Sequence, residues 1–193
     1  MVFATRNMGK LREIKEYFKG TKFQILSLDD IGVDLEVVED GAAFEENAAK
    51  KAREICEACG KLVLADDSGL EIDALNGLPG VDSAYFLGAD TPYDIRNAKI
   101  LKMLEATPPE NRGARFVCVI AIARPGHEIV TVRGEIEGQI ALKPAGVAGF
   151  GYDPIFYVPK FGKTTAEMDV ADKNKISHRG RALALAVKEL EKL

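Results

Sequence analysis

Two long runs of strand-forming residues, 116–123 and 128–140, are separated only by a short segment that holds Pro125 and Gly126. Strands joined so closely suggest an antiparallel hairpin, because a parallel pair needs a crossover of about a dozen residues or more. The N-terminal part sets a different constraint. An apolar segment at 1–5 leads through Gly9 and Lys10 to Leu11, Ile14, Tyr17 and Phe18 at helical spacing, which reads as strand, polar turn and helix. A second strand is expected at 23–28, followed by an acidic irregular stretch and an alanine-rich helix carrying Phe44, Ala48, Ile55 and Cys56. A buried strand at 62–65 then runs into Asp66-Asp67-Ser68-Gly69, with another strand at 70–74. A chain that uses both hairpin and crossover connections implies a mixed α/β sheet.

The rest fits that frame. Gly77-Leu78-Pro79-Gly80 forces a turn, and Ile100, Leu101, Met103 and Leu104 mark a helix over 93–106 that Pro108-Pro109 stops. A glycine-rich loop at 146–151 precedes a short strand at 154–158 and a polar, partly helical stretch at 164–175. Ser177 can cap a last helix with Leu183, Ala186, Leu190 and Leu193 on one face. At 193 residues, 47% hydrophobic and 29% charged, the chain has room for a real core, in one domain or two tightly joined lobes.

A net charge of −4 argues against a protein that grips long nucleic acid through many phosphates, though not against a local basic pocket. The start shows no secretory pattern, and the longest apolar run, 116–123, is too short to span a bilayer, so a cytoplasmic protein without membrane contact is expected. Cys56 and Cys59 have C-x-x-C spacing, but no second pair or nearby histidine accompanies them, so they read as small reduced thiols, and Cys118 reads as core.

Five segments carry chemistry. Thr5, Arg6, Asn7, Met8, Gly9 and Lys10 lie between a strand and a helix N-terminus, where backbone N–H groups, a glycine and a lysine favour phosphate oxygens; a hydroxyl-capped helix start is the plainer alternative. It is not a Walker A loop, which would need glycine at Ala4 and serine or threonine at Leu11. Asp66 and Asp67 place like charges side by side, a costly arrangement that a divalent cation or a solvated turn would relieve. Glu39, in the acidic run that also holds Glu36 and Asp40, is the further candidate ligand. Phe150 stands between Gly149 and Gly151, which leaves its ring open to stack on a flat base or fits it as core in a tight turn. Lys173, Lys175, Ser177, His178 and Arg179 cluster where a helix begins, against the helix dipole, so an anion or an acceptor-rich ligand is expected there.

Taken in series, TRNMGK, FEENAAKKA, LADDSGL, GLPGVDSA, GFGYDP and KNKISHRG resemble the inosine triphosphate pyrophosphatase family, in its order and over nearly the whole chain. The resemblance implies one domain, 1–193, of two lobes: a mixed, strongly curved sheet flanked by helices, an active-site cleft between the lobes, and a homodimer. It implies hydrolysis of non-standard purine nucleoside triphosphates (ITP, dITP, XTP) to monophosphate and pyrophosphate with Mg2+, which cleanses the nucleotide pool. Residues 5–10 would hold the triphosphate, Asp67 would be acid–base residue and metal ligand with Glu39 or Asp66 assisting, and Ser68 would touch substrate. Phe150, Gly151, Tyr152, Asp153, Lys173, His178 and Arg179 would complete the nucleotide pocket. Two departures stand out: Asp82 and Tyr85 occupy a stretch where the family tends to an aromatic and an arginine, and Arg6 replaces a smaller residue.

On this reading the attacking water is deprotonated by an aspartate or activated on the metal. Arg179 only donates hydrogen bonds, so it suits a purine 6-oxygen and faces a donor on adenine. The alternatives are a related pyrophosphatase for modified pyrimidine or 7-methylguanine nucleotides, and a sensor that binds triphosphate without cutting it.

Overall fold

Six strands join edge to edge in sequence order, β1 to β6, in the computed structural model, which describes residues 1–192. Leu193, expected on the apolar face of the last helix, lies outside the described residues. The strands are β1 (Val2–Phe3), β2 (Val63–Ile72), β3 (Gly113–Ala123), β4 (Val130–Ile140), β5 (Phe156–Val158) and β6 (Lys163–Thr164). Five helices accompany them: α1 (Met8–Phe18), α2 (Phe44–Cys59), α3 (Tyr93–Met103), α4 (Val170–Ile176) and α5 (His178–Leu190). The sheet is mixed, as expected. β1 runs parallel to β2 after the crossover through α1 and α2, whereas β5 is antiparallel to both β4 and β6.

Two expectations are corrected. Residues 23–28 form no strand; only Leu26 bridges to Val2, through Phe3 N to Leu26 O at 2.8 Å and Leu26 N to Met1 O at 3.0 Å. β1 is two residues long before the chain turns away at Thr5, so a partner has little edge to follow. The strands expected at 62–65 and 70–74 are one ten-residue strand, and Asp66-Asp67-Ser68-Gly69 passes through it instead of turning. Turn-forming composition is overridden because the carboxylates find cationic and amide partners inside the protein, so extended backbone costs them no unpaired charge.

The chain divides into two units. The first holds Met1–Asp67, Cys118–Gly134 and His178–Leu193, and its core includes Phe3, Ile14, Leu64, Ile120, Leu183 and Ala186. α5 lies so close on β4 that a Cβ at Gly134 would come within 2.4 Å of Ala182 N and His178 O, a separation only glycine allows. The second holds Ser68–Val117 and Glu135–Ser177, with a core that includes Leu70, Ile72, Ile100, Leu104, Phe116 and Phe156. No described helix is long and apolar enough to cross a membrane. Cys56, Cys59 and Cys118 are free thiols.

Candidate active site

Successive residues of a strand point to opposite faces, so Asp66 and Asp67 cannot share one cation side by side. Asp67 faces α2. There the Asn47 amide donates to Asp67 Oδ2 at 3.0 Å, and Asn47 Oδ1 accepts Gly41 N at 2.7 Å, which lays the 39–42 segment along the helix. Lys51, one turn beyond Asn47, donates to the Asp66 carbonyl at 2.9 Å and pairs with Glu39. Burial pushes the Asp67 carboxyl up to about 6, against the pull of Lys10, Lys51 and the Asn47 amide; the Glu39 charge pushes the same way. A carboxyl that titrates near neutrality suits proton transfer at physiological pH.

Asp66 lies on the other face, fully buried, where Arg179 Nε and Nη2 reach it at 3.3 and 3.2 Å and Lys10 Nζ at 3.1 Å. Arg179 Nη1 also meets Glu13 of α1 at 2.5 Å. Burial alone would raise the Asp66 pKa, but Lys10, Arg179 and Lys51 together hold it well below the usual carboxylate range. Asp66, expected to assist Asp67 with the metal, has its charge met by Lys10 and Arg179. The reason given for the basic cluster at α5 is corrected: Asp66 and Glu13 relieve the conflict between Arg179 and the helix dipole. His178, the first residue of α5, is likewise buried, whereas Lys175 is exposed on an ion pair with Asp172.

The segment before α1 is built as a cap. Asn7 Oδ1 accepts Gly9 N at 2.9 Å and Lys10 N at 3.1 Å, and Thr5 Oγ1 accepts Asn7 N at 3.2 Å. Two of the N–H groups expected to face phosphate are therefore held by Asn7. Met8 is 68% exposed and Lys10 keeps partial exposure. Arg6 reaches Asp34 at 2.7 Å and Asp29 at 3.9 Å, surface ion pairs worth little in water.

The second unit carries the aromatic loop. Asp153 accepts Phe150 N at 2.8 Å, Thr165 Oγ1 at 2.7 Å and Lys173 Nζ at 2.6 Å. Gly149, at φ +75°, passes so near that a Cβ there would lie 2.1 Å from Asp153 Oδ2. Lys173 Nζ stands 5.1 Å from the Phe150 ring centroid, and Phe150 is half-buried. Tyr152 is buried and Gly151 half-buried; Ser68, in β2, is half-buried too. Asp82 and Tyr85, where the family pattern is not kept, are exposed.

Sequence reasoning missed Asn47, Lys51 and Glu13. The first two had a signal, since Phe44, Asn47, Ala48 and Lys51 fall at i, i+3, i+4 and i+7 on one helical face of the quoted FEENAAKKA motif. Glu13 follows Lys10 by one turn, but only the fold reveals Arg179 opposite it.

No group of three or more His, Cys, Asp or Glu side chains forms a ready metal cage among the described residues. Asp67 and Glu39 remain, and that fits Mg2+, which is commonly held by one or two carboxylates, waters and substrate phosphates.

The sequence model of the Ham1 family matches residues 1–189. The chain is 49% identical to the dITP/XTP pyrophosphatase of Desulforamulus reducens, over 100% of this chain and 96% of that protein. It is 51% identical to the dITP/XTP pyrophosphatase of Geobacter sulfurreducens, over 96% and 93%. Among solved structures, a HAM1 protein from Coxiella burnetii superposes with a TM-score of 0.88 at 41% identity, over 100% of this chain and 98% of that one.

Proposed function

The chain belongs to the Ham1 family, and on that premise we propose that it hydrolyses ITP, dITP and XTP to the nucleoside monophosphate and pyrophosphate, which keeps these bases out of DNA and RNA. The observation that carries the site is Asp67, a buried carboxyl held at 3.0 Å by the Asn47 amide, whose pKa burial raises. Asp67 takes the proton of the attacking water at an Oδ oxygen while the Asn47 amide keeps the carboxylate aimed. Lys10, Thr5 and the exposed Arg6 and Met8 around the start of α1 receive the triphosphate, and Lys51 balances the charge of Glu39. Asp67 and Glu39 would hold Mg2+, which supplies charge neutralisation at the phosphate oxygens and an acidified water.

In the second unit, Phe150 offers its ring face to the base, with Gly149, Gly151 and Asp153 fixing the loop that presents it. Lys173 holds that loop through Asp153. His178 and Arg179 are assigned the purine's 6-oxygen, with Arg179 fixed in orientation by Asp66 and Glu13. The protein acts in the cytoplasm as a homodimer, and Leu78, Leu87 and Ile95 of the second unit are among its exposed apolar side chains. Light scattering of the purified protein should give twice the chain mass; a single chain mass would remove the dimer.

The substrate reading is tested by comparing ITP, XTP and dITP with ATP, UTP and 7-methyl-GTP. Preference for the first three is expected, and equal or better turnover of UTP or 7-methyl-GTP would move the chain to a different substrate class.

Lys10→Ala should raise KM for ITP by about tenfold with a smaller loss of kcat, because an ammonium on phosphate acts in ground and transition states alike. Asp66 keeps Arg179, so the fold tolerates the change. Steady-state kinetics check this, and an unchanged KM would place the triphosphate elsewhere.

A further inference from the structure

Helix α3 takes no part in the chemistry described so far, yet it buries two polar side chains at consecutive positions, Arg96 at 2% and Asn97 at 5% exposure. The Arg96 guanidinium goes to four backbone carbonyls: Ser83 at 3.1 Å, Ala84 at 2.5 Å, Gly88 at 2.9 Å and Ala89 at 3.1 Å. The 83–89 loop is thereby wrapped on the helix. Ser83 O also accepts the Tyr152 hydroxyl at 2.8 Å, and the Tyr152 ring meets the Tyr93 ring edge-on at 5.2 Å. Asn97 Nδ2 donates to Gly151 O at 3.1 Å, while its Oδ1 is buried without a partner among the described residues. Ile100 and Leu104, one and two turns on, are core residues. An apolar residue of similar size at 97 would leave no amide half satisfied, so Asn97 stands there against stability.

The Gly151 peptide directly follows Phe150. From these contacts we infer that Asn97 and Arg96 are positioning residues for base recognition: they fix the Gly151–Tyr152 end of the aromatic loop while Asp153 and Lys173 fix Phe150 from the other side. The inference rests on the reading of Phe150 as the base platform. Losing the Asn97 donor lets the loop rotate and spoils the stacking geometry, without touching the groups that hold phosphate.

The test uses Asn97→Ala, Asn97→Asp and Asn97→Gln, with ITP as substrate and tripolyphosphate as a competitive inhibitor that carries no base. Asn97→Ala and Asn97→Asp are expected to raise KM for ITP by about tenfold, with kcat within about twofold and inhibition by tripolyphosphate unchanged. Asn97→Gln, which keeps a donor, should fall between these variants and the parent. A general loosening of the protein would weaken tripolyphosphate by the same factor, and that result, or an unchanged KM in a folded variant, overturns the inference. If Asn97→Asp does not fold, Asn97→Ala carries the decision. Phe150→Ala is measured alongside: an unchanged KM there defeats the platform reading itself, whereas a raised KM there with none at Asn97 defeats only the role of α3.

Discussion

Asp67→Asn is expected to lose about a thousandfold or more in kcat on ITP and yet, in metal-free buffer at pH 7.5, to melt later than the parent protein. Both effects come from the same burial. The folded protein holds the Asp67 proton up to a pKa of about 6, against about 4 for an unfolded aspartate. Between those values the native state binds the extra proton, so stability falls as pH rises from about 4 to about 6 and the penalty persists above. At neutral pH it amounts to about 3 kcal/mol, which an asparagine does not incur. The gain should vanish below about pH 4, where the aspartate is protonated in both states. Calorimetry of both proteins at pH 4 and pH 7.5 in EDTA, with ITP turnover in parallel, checks the pair of effects. Near-normal turnover would remove Asp67 from the mechanism, and a lower melting point at pH 7.5 would contradict the electrostatic account.

Arg179→Ala should lose about 3–5 kcal/mol of stability, because it leaves Asp66 and Glu13 buried without their shared cation. For a chain of this size that lowers the melting temperature by roughly ten degrees or more. The triple variant Arg179→Met, Asp66→Asn, Glu13→Gln, which removes the charges together, should recover most of the loss. Asp66 titrates well below the usual carboxylate range when folded, so the network stabilises the protein above about pH 4 and weakens as pH falls from there. A melting point for Arg179→Ala within about two degrees of the parent would show that the buried pairs hold nothing. Base selectivity at Arg179 has to be read from the ratio of ITP to ATP turnover among folded molecules, since absolute activity follows stability.

Much of this was written locally. Helical spacing marked α1 and α5, and the paired runs around Pro125-Gly126 marked β3 and β4, because amphipathic periodicity and turn residues act over a few positions. The Asp-Asp-Ser-Gly segment misled for the same reason: its composition favours a turn, and only partners from distant parts of the chain (Asn47, Lys10, Arg179) make a buried strand tolerable there. Spacing also could not say which carboxylate faces which helix, since that depends on the register of β2 between α1 and α2. The aromatic loop was visible as Gly-Phe-Gly, but its anchor on α3 was not, because Arg96 and Asn97 look like ordinary surface residues until Ser83 and Gly151 are placed beside them.

Hydrolysis of non-standard purine triphosphates between the α- and β-phosphates leaves a definite product balance, which phosphorus NMR can follow for ITP with Mg2+ and compare with ATP. IMP and pyrophosphate are expected in equal amounts, with kcat/KM for ITP roughly a thousandfold above that for ATP, because a site that donates to a 6-oxygen leaves both partners unpaired against an amine. IDP with orthophosphate, or ATP cut as efficiently as ITP, would contradict that expectation.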